Sequence, residues 1–295
     1  MTKKILTLLL AGILVMTIIR FDDVDAASIK CGGHKATIVG TSGNDSIIGT
    51  PGNDVIHALE GDDTVDGNGG DDIICGGRGD DSIDGGDGDD VIYGDYYKKG
   101  EYNIGGNDSI DGGDGDDVIY GDYMIAKKKN TSWFGGNDSI DGGDGDDVIY
   151  GDYMIGSSKS EVIIGGDDNI DGGNGNDVLI GDDINGSSGH DLIIRGNDNI
   201  IGGDTTLGYY YTSTEDDYII GDNVNGGKGN DTTTDGEDDI DSTSGDDVIL
   251  GDEIIKTENI FDSDDAIDCG LGSDYADGQE GNDTEADCET TLNIP

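Results

Sequence analysis

The chain has 295 residues, including 55 glycines and 67 aspartates or glutamates, but only 15 lysines and arginines. Its net charge is -52 and only 33% of its residues are hydrophobic, below the roughly 45–50% of ordinary soluble domains. This composition excludes a large apolar core and argues against nucleic acid as a partner, because the carboxylates repel phosphates. It is typical of a disordered chain unless cations neutralise the carboxylates.

The first 26 residues have the pattern of an export signal. Lys3 and Lys4 precede an apolar run from residue 5 to residue 19, and small residues follow at Ala26 and Ala27. We expect a signal peptide that is cleaved after Ala26, an extracellular or cell-surface location, and no transmembrane span after cleavage. An uncleaved membrane anchor is the alternative, although the run is short for a bilayer span.

A nine-residue pattern, Gly-Gly-x-Gly-x-Asp-x-aliphatic-x, organises most of the remaining sequence. It occupies residues 85–93, returns at 112–120 and 142–150, and has a variant at 172–180. Glycine disfavours helix, so the pattern predicts a three-residue strand after each glycine-rich turn. Side chains alternate between the two faces of a strand. The consistently aliphatic middle residue is therefore expected to form a thin interior.

These motifs resemble the hemolysin-type calcium-binding repeat, also called the RTX repeat, over about residues 40–285. The resemblance implies an all-β fold, a parallel β-roll or β-helix solenoid in which two nonapeptides make one turn. It also implies that several calcium ions bind between successive glycine-rich turns, since calcium prefers oxygen ligands. The sixth residue of each repeat supplies the expected carboxylate ligand, and we call these residues the position-six aspartates. They are Asp45, Asp54, Asp63, Asp72, Asp81, Asp90, Asp108, Asp117, Asp138, Asp147, Asp168, Asp177, Asp198, Asp231, Asp247, Asp265 and Asp274.

The spacing of the position-six aspartates changes after Asp90. Steps of nine residues now alternate with steps of 18 or 21, yet Ser-Ile-Asp and Val-Ile-Tyr strands still alternate along the chain. A hidden half-turn would reverse that alternation. We therefore interpret the additional residues (96–104, 123–134, 153–164 and 183–195) as loops extruded from one edge. The opposite, uninterrupted edge through Asp117 and Asp147 is expected to be the better calcium ladder.

The Val-Ile-Tyr strands also predict an aromatic stripe on the outer face of one sheet, formed by Tyr93, Tyr120 and Tyr150. One interpretation is a binding face for a partner or polymer. The other is that apolar residues of the loops, such as Met124 and Trp133, fold over the stripe and cover it.

The sequence divides into five segments. They are a signal peptide (1–26), an N-terminal cap with a regular roll (27–93), a roll with insertions (94–203), degenerate repeats (204–234), and a C-terminal roll with its cap (235–295). Two cysteines lie near each end of the mature chain, and a solenoid keeps its ends apart. We therefore expect two local disulfides, Cys31–Cys75 and Cys269–Cys288. A zinc site formed by Cys31, His34, His57 and Cys75 is the alternative.

The sequence offers little support for catalysis. It has three histidines, His34, His57 and His190, and no His-Glu-x-x-His motif. The leading hypothesis is an exported, non-enzymatic calcium-binding protein that folds when calcium binds. The alternatives are a calcium-dependent adhesin that binds a cell-surface glycan or envelope protein, and a calcium-dependent enzyme acting on polysaccharides. The candidate bases for such an enzyme are the lysines at 127–129 and Arg195.

Overall fold

The computed structural model describes residues 29–97, 102–125, 132–155, 162–185, 192–194 and 198–201. It also describes the strands at 218–225, 232–234, 239–241, 248–255, 259–261, 266–268, 275–277, 284–286 and 290–292. Within these residues the strands form parallel sheets, apart from one antiparallel N-terminal hairpin. No helix in this part of the chain is long and apolar enough to cross a membrane. The expected all-β parallel solenoid is confirmed.

Two long sheets correspond to the two strand types of the repeat. Sheet A contains the Val-Ile-Tyr strands, and its members within the described residues are Ile38–Val39, Val55–Glu60, Ile73–Arg78, Val91–Tyr97, Val118–Ile125, Val148–Ile155, Val178–Asn185, Tyr218–Asn225, Val248–Ile255, Tyr275–Asp277 and Thr290–Leu292. Sheet B contains the Ser-Ile-Asp strands, which are Ser46–Ile48, Thr64–Asp66, Ser82–Asp87, Ser109–Asp114, Ser139–Asp144, Asn169–Asp171, Asn199–Ile201, Asp239–Asp241, Ala266–Asp268 and Thr284–Ala286. Each strand pairs with its equivalent one turn along the chain.

Equivalent residues stack directly above one another in both sheets. In sheet B, Ile110 pairs with Ile83 and with Ile140. In sheet A, Ile119 pairs with its equivalents in the preceding and following turns. These middle aliphatic residues are buried and form one continuous cluster. The predicted thin interior, one aliphatic side chain for each nonapeptide, is therefore confirmed.

The insertions differ from the extruded loops that we expected. Part of each insertion forms a third parallel sheet, sheet C, whose strands in the described residues are Tyr102–Ile104, Ser132–Phe134, Val162–Ile164, Leu192–Ile194, Thr232–Thr234 and Asn259–Phe261. Consecutive insertions have related sequences, so the backbone of one strand pairs in register with the next, as Trp133 does with Ile163. The strands of sheet A also extend through Tyr97, Ile125 and Ile155.

Sheet C encloses a second apolar cluster. Met124, Trp133, Met154 and Ile163 are buried together, and Tyr97 packs against them. The interpretation that Met124 and Trp133 cover the tyrosine stripe is therefore wrong. Alternation along the sheet A strand turns Met124 inwards, and burial of its side chain stabilises the wider turn instead.

The outer face of sheet A carries two neighbouring columns of tyrosines. Tyr93, Tyr120 and Tyr150 stack with ring centroids 5.1 and 5.0 Å apart. Tyr96, Tyr123 and Tyr153 form a second stacked column, with centroids 5.4 and 5.2 Å apart. Rings of the two columns meet edge to face, as Tyr120 and Tyr123 do at 5.2 Å. All six side chains are half-buried, and we call them the tyrosine columns.

An N-terminal hairpin packs at the head of the tyrosine columns. Its strands are Lys30–Cys31 and His34–Lys35, and a side chain at Gly32 would contact the ring of Tyr93. Cys31 is disulfide-bonded to Cys75, with Cα atoms 5.7 Å apart, so the predicted pairing is confirmed. Because both thiols are consumed, the zinc alternative is wrong.

Several predictions lie outside the described residues. They concern the signal peptide at 1–26, the pair Cys269–Cys288, the lysines at 127–129 and Arg195. The boundaries between the five segments stay predictions. The strands that follow residue 217 continue the same register, since Tyr218 pairs with Val178 and with Val248.

Candidate metal centre

The position-six aspartates form two continuous columns, one at each edge of sheets A and B. The unsplit edge, where the chain passes from sheet B to sheet A, contains Asp54, Asp72, Asp90, Asp117, Asp147 and Asp177. The split edge, which receives the insertions, contains Asp45, Asp63, Asp81, Asp108, Asp138, Asp168 and Asp198. The structure thus brings together all thirteen of the predicted ligands that it describes, and twelve of them are buried.

From Asp63 onwards, each position-six carboxylate is fixed by the turn before it. The backbone N–H of Asp90 donates to Oδ1 of Asp117 at 2.7 Å, and the N–H of Asp81 donates to Oδ1 of Asp108 at 2.8 Å. The second oxygen, Oδ2, is also buried but accepts no hydrogen bond in Asp63, Asp72, Asp81, Asp90, Asp108, Asp117, Asp138 and Asp147. A buried carboxylate oxygen without a partner is costly, so each of these atoms is a candidate cation ligand.

In the first two glycine-rich turns, hydrogen bonds from a threonine satisfy Oδ2 of the position-six aspartate without a cation. In Asp54, Oδ2 accepts hydrogen bonds from the backbone N–H and the hydroxyl of Thr50, both at 2.8 Å. Burial raises the pKa of Asp54, but the hydrogen bonds from Thr50 and Thr37 outweigh it, so the net pKa is lowered. Thr41 contacts Asp45 in the same way. Threonine at the second position of the repeat therefore closes the N-terminal end of each column.

Glycine is required where the turns stack closely. A side chain at Gly85 would lie 2.5 Å from Oδ2 of Asp90 and would collide with the carbonyl oxygen of Gly112. Gly86 and Gly88 have φ angles of 102° and 130°, a region that other residues rarely adopt. The turn thereby brings backbone carbonyls and a carboxylate of adjacent turns into one small volume.

Burial raises the pKa values of these aspartates in the absence of metal. It raises the pKa of Asp72, Asp90 and Asp147 to about 6, and that of Asp81 and Asp117 to about 7. Neighbouring carboxylates add to the increase, and backbone N–H donors oppose it. A divalent cation would remove this penalty by supplying the missing positive charge.

A third set of aspartates, absent from the predicted ligands, lies at the split edge. Asp95, Asp122, Asp152 and Asp182 are all 0% exposed, and each directly precedes an insertion. We call them the entry aspartates. They form three clusters with the position-six aspartates, in which one ligand atom from each residue lies within 4.8 Å of the others: Asp95–Asp108–Asp122, Asp122–Asp138–Asp152 and Asp152–Asp168–Asp182.

The sequence does contain a signal for the entry aspartates. A Gly-Asp pair lies within the sheet A strand at 94–95, 121–122, 151–152 and 181–182, and again at 221–222 and 251–252. A prediction that takes only the sixth position of each repeat as a ligand does not include these residues. The expectation that the split edge is the poorer ladder stays untested, but every cluster of three carboxylates found in the described residues lies there.

Comparison with known families agrees with this geometry. The model of the RTX calcium-binding nonapeptide repeat matches residues 39–74, 66–95, 105–122, 135–152 and 164–193. The chain is an RTX repeat protein. Two of the gaps between matched segments, 96–104 and 123–134, coincide with the insertions, so these residues are additions to the RTX turn. No curated protein matches the chain.

The remaining predicted ligands lie outside the described residues, and the strands beside them correct one assignment. The strand after Asp231, Thr232–Thr234, pairs with Leu192–Ile194 in sheet C. The strand after Asp238, by contrast, pairs with Asn199–Ile201 in sheet B. We therefore expect Asp238 instead of Asp231 to continue the column. Asp247, Asp265 and Asp274 precede strands of sheets A and B and remain predicted ligands.

Proposed function

We propose that this RTX repeat protein is an exported, non-enzymatic calcium-binding protein whose solenoid folds when calcium enters its aspartate columns. The observation that carries the proposal is the row of buried carboxylate oxygens without hydrogen-bond partners. Calcium prefers six to eight oxygen ligands, including carboxylates and backbone carbonyls, and the stacked turns offer both.

Folding and binding are linked because the interior is thin. The main core contributes one aliphatic side chain for each nonapeptide, while the same nine residues bury one aspartate. The sites exist only when successive turns are stacked, so calcium binds the folded state and not the unfolded one. The free energy of binding then contributes directly to folding.

Export is supported by the N-terminal sequence and by the cysteines. The apolar run that ends before Ala26 has the pattern of a cleaved signal, and the Cys31–Cys75 disulfide suits an oxidising compartment. An extracellular or cell-surface location also offers more calcium than a cytoplasm. Fractionation of the native host, with mass determination of the mature N-terminus, tests this part of the proposal.

Circular dichroism of the full chain tests calcium-dependent folding. We expect a β-sheet spectrum with calcium, a disordered spectrum after addition of a chelator, and recovery when calcium is restored. Asp90→Asn should require more calcium for folding, whereas Asp89→Asn, at the exposed neighbouring position, should resemble the wild type. A chain that is equally structured with calcium and with chelator contradicts the proposal.

A second candidate function is calcium-dependent adhesion to a cell-surface glycan. The observation that favours it is the pair of half-buried tyrosine columns, whose stacked rings recur at intervals of about 5 Å and form a regular aromatic surface of the kind that is enriched at binding interfaces. Sedimentation with insoluble cell-wall glycan in calcium, but not in chelator, is expected. Tyr123→Ser should weaken sedimentation and Ser109→Ala, on the outer face of sheet B, should not. Retention of binding by Tyr123→Ser opposes adhesion through this face.

A polysaccharide-acting enzyme is the remaining alternative from the sequence. Its candidate bases, the lysines at 127–129 and Arg195, lie outside the described residues. Incubation of the calcium-loaded protein with anionic polysaccharides, followed by measurement of new reducing or unsaturated ends, separates this activity from binding alone. We expect no turnover.

A further inference from the structure

Each insertion opens one glycine-rich turn in its middle. In the last unsplit turn of that edge, Gly77 and Arg78 lie between Gly76 and Gly79. In the first split turn, residues 95–105 lie between the equivalent Gly94 and Gly106. The stacking fixes this equivalence, since a side chain at Gly106 would collide with the carbonyl oxygen of Gly79. The backbone carbonyls of the two replaced residues are therefore lost from their place in the turn.

A carboxylate occupies the start of the opening. Asp95 follows Gly94 directly, and its Oδ2 accepts the backbone N–H of Gly106 at 2.7 Å. The same bond joins Asp122 to Gly136 and Asp152 to Gly166, each at 2.7 Å. One oxygen of each of these three entry aspartates thus closes the split turn by linking its two halves.

The second carboxylate oxygen of the entry aspartates does not link the two halves of the turn. Oδ1 of Asp95, Asp122 and Asp152 is buried and accepts no hydrogen bond, and the same holds for Oδ2 of Asp108 and Asp138. All five residues are at most 3% exposed. The carboxylates that carry these oxygens place one ligand atom each within 4.8 Å of the others in their cluster, so the carboxylates of each cluster share one small, buried volume.

The glycines beside this volume leave room for the carboxylates because they have no side chain. A side chain at Gly105 would collide with the carboxylate of Asp122, and one at Gly135 would collide with that of Asp152. The residue before each donor glycine therefore lacks a side chain because the entry aspartate of the next turn occupies its space. The glycine pairs at 105–106 and 135–136 therefore leave room for the entry aspartates as well as for the backbone of the adjacent turn.

We infer that every split turn holds a second kind of divalent-cation site, in which an entry aspartate replaces the backbone carbonyls removed by the insertion. The position-six aspartate of the same turn and the entry aspartate of the next turn supply the other carboxylate ligands of this site. The inference rests on the proposed calcium-binding function and extends it to a ligand set that the nonapeptide motif does not contain. The donors are all oxygen, which selects a hard cation, calcium or magnesium.

Charge balance sets the number of ions. Each split turn adds one entry aspartate and one position-six aspartate to the buried column, for example Asp122 and Asp138. Two carboxylates balance one divalent cation, so the split edge takes one ion for each turn without residual buried charge. The unsplit edge adds a single buried position-six aspartate for each turn, such as Asp117. We therefore expect the split edge to bind its ions more tightly, which reverses the expectation drawn from the sequence.

Calcium counting on the full chain tests the inference. Asp122→Asn is the informative variant because the asparagine oxygen still accepts the Gly136 N–H, whereas one negative charge is lost from two clusters. Equilibrium dialysis should show up to two fewer bound ions, or at least a tenfold weaker affinity for them. The matched control is Asp111→Asn, at an exposed position, and Asp117→Asn serves as a comparison that removes a proposed ligand from the unsplit edge. Asp111→Asn should bind as the wild type does.

Terbium luminescence tests whether the ions lost in Asp122→Asn come from the split edge. Trp133, the single tryptophan of the chain, is buried in the sheet C cluster three residues before the glycine that donates to Asp122. Terbium bound at the split edge should therefore emit when the indole is excited selectively. Asp122→Asn should reduce this emission several-fold, while Asp111→Asn should leave it near the wild-type level. A parallel titration with magnesium distinguishes the two cations by their displacement of terbium.

The outcomes separate this inference from the proposed function. If the wild type binds no calcium, the proposed function fails. If the wild type binds calcium and folds, but Asp122→Asn retains the same number of ions, the same affinity and the same emission, only the second site is refuted. Circular dichroism in saturating calcium identifies a variant that does not fold. In that event Asp95→Asn, which belongs to a single cluster at the start of the column, replaces it and should lose one ion.

Discussion

The metal-free protein should lose structure as the pH rises from 4 to 8, which is opposite to ordinary acid denaturation. Burial raises the pKa of Asp95 and of Asp138 from the usual 3.8 to about 8. At pH 7 each group therefore enters the fold as a neutral acid, at a cost on the order of 4 kcal/mol relative to the ionised group of the unfolded chain. Two or three such groups offset the roughly 5–15 kcal/mol by which a domain is stable.

The direction of this pH dependence follows from the direction of the pKa shift. Because the folded-state pKa lies above the unfolded value, the cost is absent below pH 4 and grows as pH rises towards the folded pKa. The position-six aspartates with pKa values of about 6 and 7 act in the same direction. Calcium reverses the effect because it binds the ionised carboxylates and competes with protons.

Far-UV circular dichroism measured against pH, in chelator and in calcium, checks this prediction. We expect the chelated chain to gain β-sheet signal as the pH is lowered from 8 to 4, and the calcium-loaded chain to keep it at pH 8. Sodium chloride at matched ionic strength controls for screening of the -52 net charge. A chelated chain that is fully structured at pH 8, or that loses structure on acidification, refutes the reasoning.

Three substitutions test other parts of the structure. Ile119→Ala removes a fully buried side chain and should lower the free energy of unfolding in calcium by about 2–5 kcal/mol, measured by urea denaturation. Gly135→Ala places a methyl group against the carboxylate of Asp152 and should reduce the number of calcium ions counted by dialysis. Cys31→Ser removes the bond to Cys75, which closes a sequence separation of 44 residues. It should cost about 4 kcal/mol on the chain-entropy model, visible as a lower melting temperature.

Each of these predictions has a control. Val118→Ala changes a half-buried neighbour of Ile119 and should cost clearly less. Gly43→Ala meets no atom within 4 Å and should leave calcium binding unchanged. The wild type and Cys31→Ser should melt at the same temperature when both are reduced. Equal effects of Ile119→Ala and Val118→Ala, or of the two glycine variants, contradict the assigned packing, and a Cys31→Ser melting point equal to that of the oxidised wild type contradicts a stabilising disulfide.

Much of the solenoid follows from local sequence. The nonapeptide determines where the glycine-rich turns lie and places Ile83 and Ile92 on the interior face, because alternation in a strand has only one period. The position-six aspartates, from Asp45 to Asp198, were predictable for the same reason. The Cys31–Cys75 pair followed from the separation of the two ends of a solenoid.

The insertions were not predictable from local sequence, because their structure depends on the next turn. A three-residue segment such as Ser132–Phe134 has no partner within its own turn. It becomes a strand only because Val162–Ile164 lies beside it in register, and Trp133 is buried only because Met124 and Met154 stack around it.

The sequence by itself therefore determined the repeat, its calcium chemistry and the residues that line the interior. Only the tertiary structure decided that the insertions widen the solenoid to three sheets and that entry aspartates such as Asp122 meet the position-six column. The physical reason is that a carboxylate becomes a ligand through neighbours one turn away. Asp122 and Asp152 are 30 positions apart along the chain, and their carboxylates meet only once the turns are stacked.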